Sequence, residues 1–270
     1  QVPGVQGWQV MFFVEGMLAV LAGIAAYFFL INSPQDAKFL DKDEKKALLD
    51  VMALEDGVKE ETGPRGVLAA MKNGKVWYFT VIYFCLQVAV YGVTFYLPQQ
   101  VAQLTGQKVG LAVGLMAAIP WFFGIFACYF IGKAANTVIR RRVWGTGLFI
   151  STGLCIFGSA WAGANHIPAL GIIFISLAVC SFLSIGPIAW SYPTAFLTGT
   201  AAAAGIGLIN SLGNLGGFVA PILRTSVNQM TASDTGTMGV YALGVLPFLA
   251  AAMMFATKRF RNKADELLEQ

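Results

Sequence analysis

Residues 205–221 read GIGLINSLGNLGGFVAP, an apolar stretch interrupted by five glycines, two asparagines and one serine. On a helix, one face of this stretch would hold small and amide residues, at spacings of three, four and three: Gly207, Asn210, Asn214 and Gly217. The nearly opposite face would hold Leu208, Leu212, Leu215 and Val219. The stretch therefore predicts a membrane helix with a polar, close-packing face and an apolar face turned to lipid.

The rest of the chain has the composition of a membrane protein. Hydrophobic residues make up 57% of its 270 residues and charged residues only 12%, whereas soluble domains carry about 25% charged residues. A helix needs about 20 apolar residues to cross the hydrocarbon core. Seven segments meet or approach this length: Trp8–Ile31, Val76–Leu97, Val109–Ile131, Val143–Trp161, Ala169–Trp190, Ala203–Leu223 and Val240–Ala256. We therefore predict an all-α membrane protein with seven transmembrane helices.

The basic residues are distributed unequally between the two sides that seven crossings would define. Of 18 Lys and Arg residues, eight lie from Lys38 to Lys75, four follow the third span and four follow the last. Only Lys108 and Arg224 would lie on the other side. Cytoplasmic loops are enriched in Lys and Arg, so we predict a periplasmic N-terminus and a cytoplasmic C-terminus. The net charge of +4 then reflects topology and contact with the lipid bilayer, not nucleic-acid binding.

The predicted spans lack the side chains that catalysis requires. Glu15 in the first span is their only ionisable residue, and hydrolysis would need a nucleophile with a base, or metal ligands. The four cysteines have no short metal-ligand spacing and are interpreted as small packing residues: Cys85, Cys128, Cys155 and Cys180. We predict no enzyme activity, no cofactor and no metal site.

Neutral polar residues are the remaining candidates for a site. In the second predicted span, Tyr83, Gln87 and Tyr91 recur at steps of four, which places them on one helix face. They line a cavity or pack against another helix. The same two readings apply to Asn210 and Asn214, because amides also join helices within membranes.

The fifth predicted span ends in SFLSIGPIAWSYPT, residues 181–194. Pro187 removes one backbone hydrogen bond and is expected to loosen or kink the helix before Trp190. Interrupted helices recur at transporter binding sites. Trp190 is either such a site residue or an interfacial anchor.

Residues 32–74 form the one sizeable polar segment. Asp41 and Glu44 have the spacing of a capping box, which predicts the start of a short amphipathic helix on the cytoplasmic face. Gly57, followed by Gly63 to Gly66, is expected to end it.

Two stretches resemble the anion:cation symporter family of the major facilitator superfamily. GWQVMFFVEGMLAVLAGIAAYFFLINSPQDAKFL, residues 7–40, resembles the sixth helix and the start of the central loop. YPTAFLTGTAAAAGIGLINSLGNLGGFVAP, residues 192–221, resembles the junction of the tenth and eleventh helices in bacterial members, which carry tartrate, phthalate, aldonate and aldarate-type acids. The resemblance implies that the seven helices are helices 6–12 of a twelve-helix transporter.

The resemblance also implies a division of the chain and a substrate site. Residues 1–31 would be the last helix of an N-terminal bundle, 32–75 a cytoplasmic linker, 76–257 a six-helix bundle and 258–270 a cytoplasmic tail. Trp190 and Asn210 match substrate positions of the family, and its seventh-helix contact falls near Tyr83 or Gln87. The predicted substrate-binding residues are Tyr83, Gln87, Tyr91, Trp190, Asn210 and Asn214. In the loop GKAANTVIRRR, residues 132–142, Asn136 stands where the family usually has aspartate.

The function that the resemblance implies is proton-coupled uptake of a small organic anion across the bacterial inner membrane by alternating access. Its partners would be the anion, protons, the lipid bilayer and an N-terminal bundle that this sequence lacks, so we expect the chain to be incomplete. The alternative is a non-transporting membrane scaffold or assembly subunit, which would use its small-residue faces to pair with other helices.

Overall fold

The computed structural model describes residues 6–231 and 236–260. Within these ranges the chain forms ten α-helices and two 3₁₀ turns, the latter at Pro34–Asp36 and Thr257–Phe260. The α-helices are α1 (Gly7–Phe29), α2 (Lys42–Thr62), α3 (Val67–Lys72), α4 (Gly74–Thr94), α5 (Leu97–Thr105), α6 (Leu111–Ala134), α7 (Val138–Ala164), α8 (Pro168–Phe196), α9 (Gly199–Met230) and α10 (Thr237–Ala256). Of the predicted cytoplasmic tail, residues 261–270 lie outside the described ranges.

Seven of these helices are long and apolar enough to cross a membrane: α1, α4, α6, α7, α8, α9 and α10. The prediction of an all-α protein with seven spans is therefore confirmed. Several helices are longer than their apolar segments. Helix α9 has 32 residues, or about 48 Å at 1.5 Å per residue, whereas the prediction covered only residues 203–223. Hydropathy reports the part of a helix that matches hydrocarbon, while backbone hydrogen bonding continues into polar residues.

The chain divides into two compact units, one ending at Gly57 and the other beginning at Val58. In the first unit, α1 buries none of its side chains. The backbone N–H of Asp41 donates to Glu44 Oε2 at 3.0 Å, which confirms half of the predicted capping box at the start of α2. The expectation that Gly57 ends a short helix is wrong, because α2 continues to Thr62. One glycine costs a helix only about 1 kcal/mol.

The second unit is a helical bundle whose core lies among α4, α7, α8, α9 and α10. Phe149, Phe182 and Ile185 are among its fully buried side chains. Its buried hydroxyls bond within their own helices. Thr152 Oγ1 donates to the Leu148 carbonyl at 2.9 Å and Ser184 Oγ to the Cys180 carbonyl at 2.8 Å, so neither is left unsatisfied in the core.

Helix α9 packs closely against α4 through the glycines of the opening stretch. A Cβ atom at Gly216 would lie 2.7 Å from the Phe84 carbonyl oxygen and 2.8 Å from the Val88 amide nitrogen. Gly213 and Gly217 lie under the rings of Tyr83 and Tyr91 respectively. The missing side chains therefore let two helix backbones approach each other, as small residues do at membrane helix interfaces.

Helix α8 continues through Pro187 to Phe196, so the predicted interruption before Trp190 does not occur. Pro187 leaves the carbonyl of Leu183, four residues earlier, without its helical N–H donor. The thiol of Cys128, on α6, donates to this oxygen at 3.9 Å. A neighbouring helix thus replaces the lost partner, which is how membrane helices tolerate proline.

Candidate functional site

The polar face of α4 is turned towards α9. Tyr83, Gln87 and Tyr91 all contact residues of that helix. Gln87 is only 9% exposed, and a buried amide needs hydrogen-bond partners. The stripe predicted from the four-residue spacing is therefore one side of a helix–helix contact.

Three amide side chains form a continuous chain across this contact. Gln87 Nε2 donates to Asn214 Oδ1 at 2.6 Å. Asn214 Nδ2 in turn donates to the Asn210 carbonyl at 2.8 Å and to Asn210 Oδ1 at 2.9 Å. Both polar atoms of Asn214 are thus engaged within the protein. Of the two readings offered for the asparagines, the joining of helices describes the contacts of Asn214.

An aromatic pair lies beside the amide chain. The rings of Tyr83 and Trp190 meet edge to face, with centroids 4.9 Å apart, and the Tyr83 ring also covers Gly213 on α9. Tyr83 therefore connects α8 to α9 next to Asn214. Both rings are half-buried, so each keeps an exposed edge for further contacts.

Tyr91 is placed mainly by packing. Its ring lies against Gly217 and 5.2 Å from the ring of Phe95 between centroids. Its hydroxyl reaches Asn214 Oδ1 only at 3.5 Å, at the outer limit of hydrogen bonding. The structure thus brings all six predicted site residues into one neighbourhood, with Tyr91 at its margin.

The amide face of α9 is not uniformly buried, as had been expected. Asn214 is half-buried, but Asn210 and Gly207 are exposed. The apolar face also differs from its prediction, because Leu208 and Val219 pack against the core while Leu215 is 52% exposed. Asn210 Nδ2 donates to no acceptor among the described residues, and this leaves an exposed donor at the end of the amide chain.

The cluster offers neutral hydrogen-bonding groups and aromatic rings, without charge. Such groups suit hydroxyls and carboxylate oxygens, but they supply no counter-charge for an anion. In the ranges that the structure describes, no group of three His, Cys, Asp or Glu side chains could hold a metal ion. We use the name amide cluster for Tyr83, Gln87, Tyr91, Trp190, Asn210 and Asn214.

Sequence reasoning missed Arg224 as a candidate. It was assigned to a loop after the sixth predicted span, but α9 runs six residues further, to Met230. Arg224 lines a cleft of about 100 Å³ with residues of α5, α7 and α10. The polar residues Arg224, Thr225 and Asn228 ended the apolar segment, although Thr225 Oγ1 donates to the Pro221 carbonyl within the continuing helix. A lone arginine between apolar spans was the signal available.

The loop between α6 and α7 retains a hydrogen bond despite its substitution. Arg140 donates from a terminal nitrogen to Asn136 Oδ1 at 3.2 Å. Arg141 Nε donates to the Ala135 carbonyl at 3.3 Å, and Thr137 caps α7. An aspartate at position 136 would add charge to the contact with Arg140, whereas asparagine supplies only the hydrogen bond.

Known proteins of similar sequence are membrane transporters. The Major Facilitator Superfamily model matches residues 4–221. The Inner membrane transport protein RhmT of Escherichia coli (strain K12) is 36% identical, over 97% of this chain and 59% of its own length. A Putative tartrate transporter of Agrobacterium vitis is 32% identical, over 97% and 57%. The Putative metabolite transport protein NicT of Pseudomonas putida is 28% identical, over 90% and 54%.

The chain thus spans somewhat more than half the length of the curated relatives that it matches. The family model covers well over half of the chain itself, and the seven candidate spans agree with a multi-pass protein. The chain therefore belongs to the Major Facilitator Superfamily, and it is a membrane transport protein rather than an enzyme.

Proposed function

We propose that the chain is the C-terminal portion of a proton-coupled importer of small organic anions, such as hydroxy, sugar or aromatic carboxylates. Transport proceeds by alternating access, in which the helical bundle of α4 to α10 rocks against an N-terminal bundle around a central site. The amide cluster is the contribution of this chain to that site. Tartrate, named for one relative, is an example of the substrate class.

The observation that carries the proposal is the exposed end of the amide chain. Asn214 is held by Gln87 at 2.6 Å and holds Asn210 at 2.9 Å, so Asn210 is oriented before any ligand arrives. Its free Nδ2 donor and the exposed edge of Trp190 are available to a substrate. A preorganised donor needs little reordering on binding, and neutral donors release the substrate more readily than a charge would.

The neutrality of the cluster supports a second bundle that carries charge. An organic anion transferred from water needs a counter-charge, and the proton-coupling acids also require ionisable residues. We propose that both lie in the N-terminal bundle. Helix α1 supports this division, because a helix that is apolar on every side must be covered by lipid and by other helices, and its 23 residues bury nothing within their own unit.

The proposed location is the bacterial inner membrane, with the N-terminus of this chain in the periplasm and its C-terminus in the cytoplasm. The distribution of Lys and Arg supports this orientation. We further propose the division into a last N-terminal-bundle helix, residues 1–31, a linker, residues 32–75, a six-helix bundle, residues 76–257, and a tail, residues 258–270.

The test is uptake of radiolabelled tartrate, galactonate and phthalate by proteoliposomes that contain the whole transporter, under an imposed proton gradient. We expect accumulation of at least one acid, and its loss when a protonophore collapses the gradient. Asn210→Ala and Trp190→Ala should each lower uptake at least about tenfold. This chain reconstituted without an N-terminal bundle should not transport.

Two matched variants control for the change of side chain. Asn165→Ala and Trp161→Ala make the same substitutions at exposed positions on α7 and its C-terminal cap, outside the amide cluster, and should retain uptake. Uptake that is unaffected by Asn210→Ala and Trp190→Ala would contradict the proposed site. A whole protein that assembles in the membrane but moves none of the acids would favour the scaffold.

A further inference from the structure

A second polar site lies at the end of the bundle where α7 and α9 finish and α10 begins. Its cleft encloses about 100 Å³. The lining residues come from four helices and the turn before α10: Gln100, Gln103, Ser159, Ala160, Gly163, Arg224, Gly236, Thr237 and Val240. Among the described residues, the lining contains one positive charge and no acidic side chain. We refer to this site as the Arg224 cleft.

The guanidinium of Arg224 is held in a fixed plane. Its Cζ atom lies 3.8 Å from the centroid of the Tyr96 ring, a cation–π contact that orients the group. Stacking occupies the face of the guanidinium and leaves its N–H edges free. One of its terminal nitrogens is buried and has no hydrogen-bond partner among the described residues. A buried charged donor without a partner is costly, which indicates that something else occupies this position.

A second unsatisfied group opens into the same cleft. Ser159 is 7% exposed, and its hydroxyl makes no hydrogen bond with any residue in the part of the chain that the structure describes. A buried hydroxyl normally has a partner. Ser159 also lines a smaller cavity of about 10 Å³ that shares Gln100 and Val240 with the cleft and is otherwise mostly apolar. The cleft therefore has a charged and polar mouth and a narrow apolar floor.

We propose that the Arg224 cleft binds the carboxylate of a small hydroxy acid. The planar guanidinium matches a carboxylate with two parallel N–H···O bonds. The Ser159 hydroxyl and the Gln100 amide accept or donate hydrogen bonds to a hydroxyl on the neighbouring carbon. Drug-sized ligands fill about 300–1,000 Å³, so a cleft of about 100 Å³ holds only the carboxylate end of a substrate or an acid of a few carbons.

The cleft is distinct from the amide cluster. Arg224 lies 14 residues after Asn210 on α9, which is about 21 Å along the helix. It also lies at the opposite end of α7 from the loop that carries Arg140. In the proposed orientation this end is periplasmic, and resting on the proposed function in this respect alone, the cleft captures the anion before it reaches the central site.

The test is binding of glycerate, a three-carbon hydroxy acid, to this chain in lipid nanodiscs, followed by saturation-transfer NMR. Glycerol, which lacks the charge, is the control ligand. We expect glycerate to bind and glycerol not to bind. Arg224→Gln should weaken glycerate binding at least about tenfold, as the loss of charge-assisted hydrogen bonds implies. Ser159→Ala, which keeps the charge, should weaken it about two- to tenfold.

Asn210→Ala separates this inference from the proposed function. Glycerate binding that survives Asn210→Ala but not Arg224→Gln supports the cleft, whatever the uptake assays show. Binding that is equal in wild type and Arg224→Gln, or that is lost in Asn210→Ala alone, would overturn it. Circular dichroism confirms that each variant is folded, and Ser159→Ala carries the test if Arg224→Gln is not.

Asp234 lies outside the described residues, and its carboxylate is the internal competitor to examine. The variant Asp234→Asn measures it. Glycerate that binds only after this substitution would show that the protein's own carboxylate occupies the guanidinium, and the proposal would then be wrong. Unchanged binding in Asp234→Asn supports it.

Discussion

Helix α9 carries two polar regions that have opposite relations to the rest of the bundle. Asn214, in its middle, exchanges hydrogen bonds with Gln87 and Asn210 across and along a glycine-lined contact. Arg224, near its end, stacks on Tyr96 and leaves a buried nitrogen without a partner among the described residues. The first region is satisfied internally and the second is not.

The comparison separates polar groups that hold the bundle together from polar groups that await something else. Paired amides contribute to stability, because removing one leaves the other unsatisfied. An unpaired arginine contributes little to stability and is retained at a cost. Changes of stability should therefore be largest along the α4–α9 contact and smallest where a side chain is exposed or unpaired. The predictions below concern the free energy of unfolding in mixed micelles.

Gly216→Ala should have the largest effect. The added Cβ would lie 2.7 Å from a backbone oxygen of α4, and backbone atoms cannot move aside as a flexible side chain can. We expect a loss of about 1–3 kcal/mol in the free energy of unfolding, typical of overpacking. Gly207→Ala is the matched control in the same helix, since no described atom lies within 4 Å of its Cβ position. It should be neutral or gain up to about 1 kcal/mol.

Asn214→Leu should have the next largest effect. The substitution leaves the buried Gln87 amide without its 2.6 Å partner, at a cost of about 1–3 kcal/mol. The double variant Gln87→Leu, Asn214→Leu should recover part of this loss, because neither amide remains unpaired. A double-mutant cycle measures the coupling, expected at about 0.6–1.7 kcal/mol in a membrane protein. Additive effects of the two substitutions would show that the amides act independently.

Much of this architecture could be predicted from residue types alone. Seven apolar segments identified the spans, since hydrocarbon admits few other solutions. The four-residue steps of Tyr83, Gln87 and Tyr91 identified the polar face of α4. What a single sequence does not contain is the partner of each face. The same glycines were compatible with a close helix, with a ligand or with flexibility, and the Phe84 and Val88 backbones on α4 decide between these.

The continuity of helices was the weaker part of the prediction, for a related reason. Gly57 and Pro187 were both expected to end or loosen a helix on local grounds. Helix α8 continues because Cys128, 59 residues earlier in the chain, donates to the carbonyl that Pro187 leaves free. The Arg224 cleft was missed because its lining comes from four helices and from polar residues that hydropathy assigns to loops.

Arg224→Met should change stability only slightly, and it may be compared directly with Asn214→Leu. Methionine keeps the packing of the long side chain on Tyr96 and removes a buried, unpaired nitrogen. We expect a change of less than about 1 kcal/mol, or a gain, because replacing buried charge with apolar groups is often neutral or stabilising. Thermal unfolding followed by circular dichroism measures it. A loss comparable to that of Asn214→Leu would show that Arg224 is a structural partner after all.

Asn210→Ala should have the smallest effect on stability. Asn210 is exposed, and its side chain only accepts from Asn214, which also bonds to the backbone carbonyl of Asn210 at 2.8 Å. Alanine keeps that carbonyl, so Asn214 remains satisfied and the free energy of unfolding should change by less than about 0.5 kcal/mol. Measured beside the uptake assay, the variant should thus retain its fold while losing transport. A destabilisation as large as that of Asn214→Leu would assign Asn210 to the packing of α9 on α4 and remove it from the proposed site.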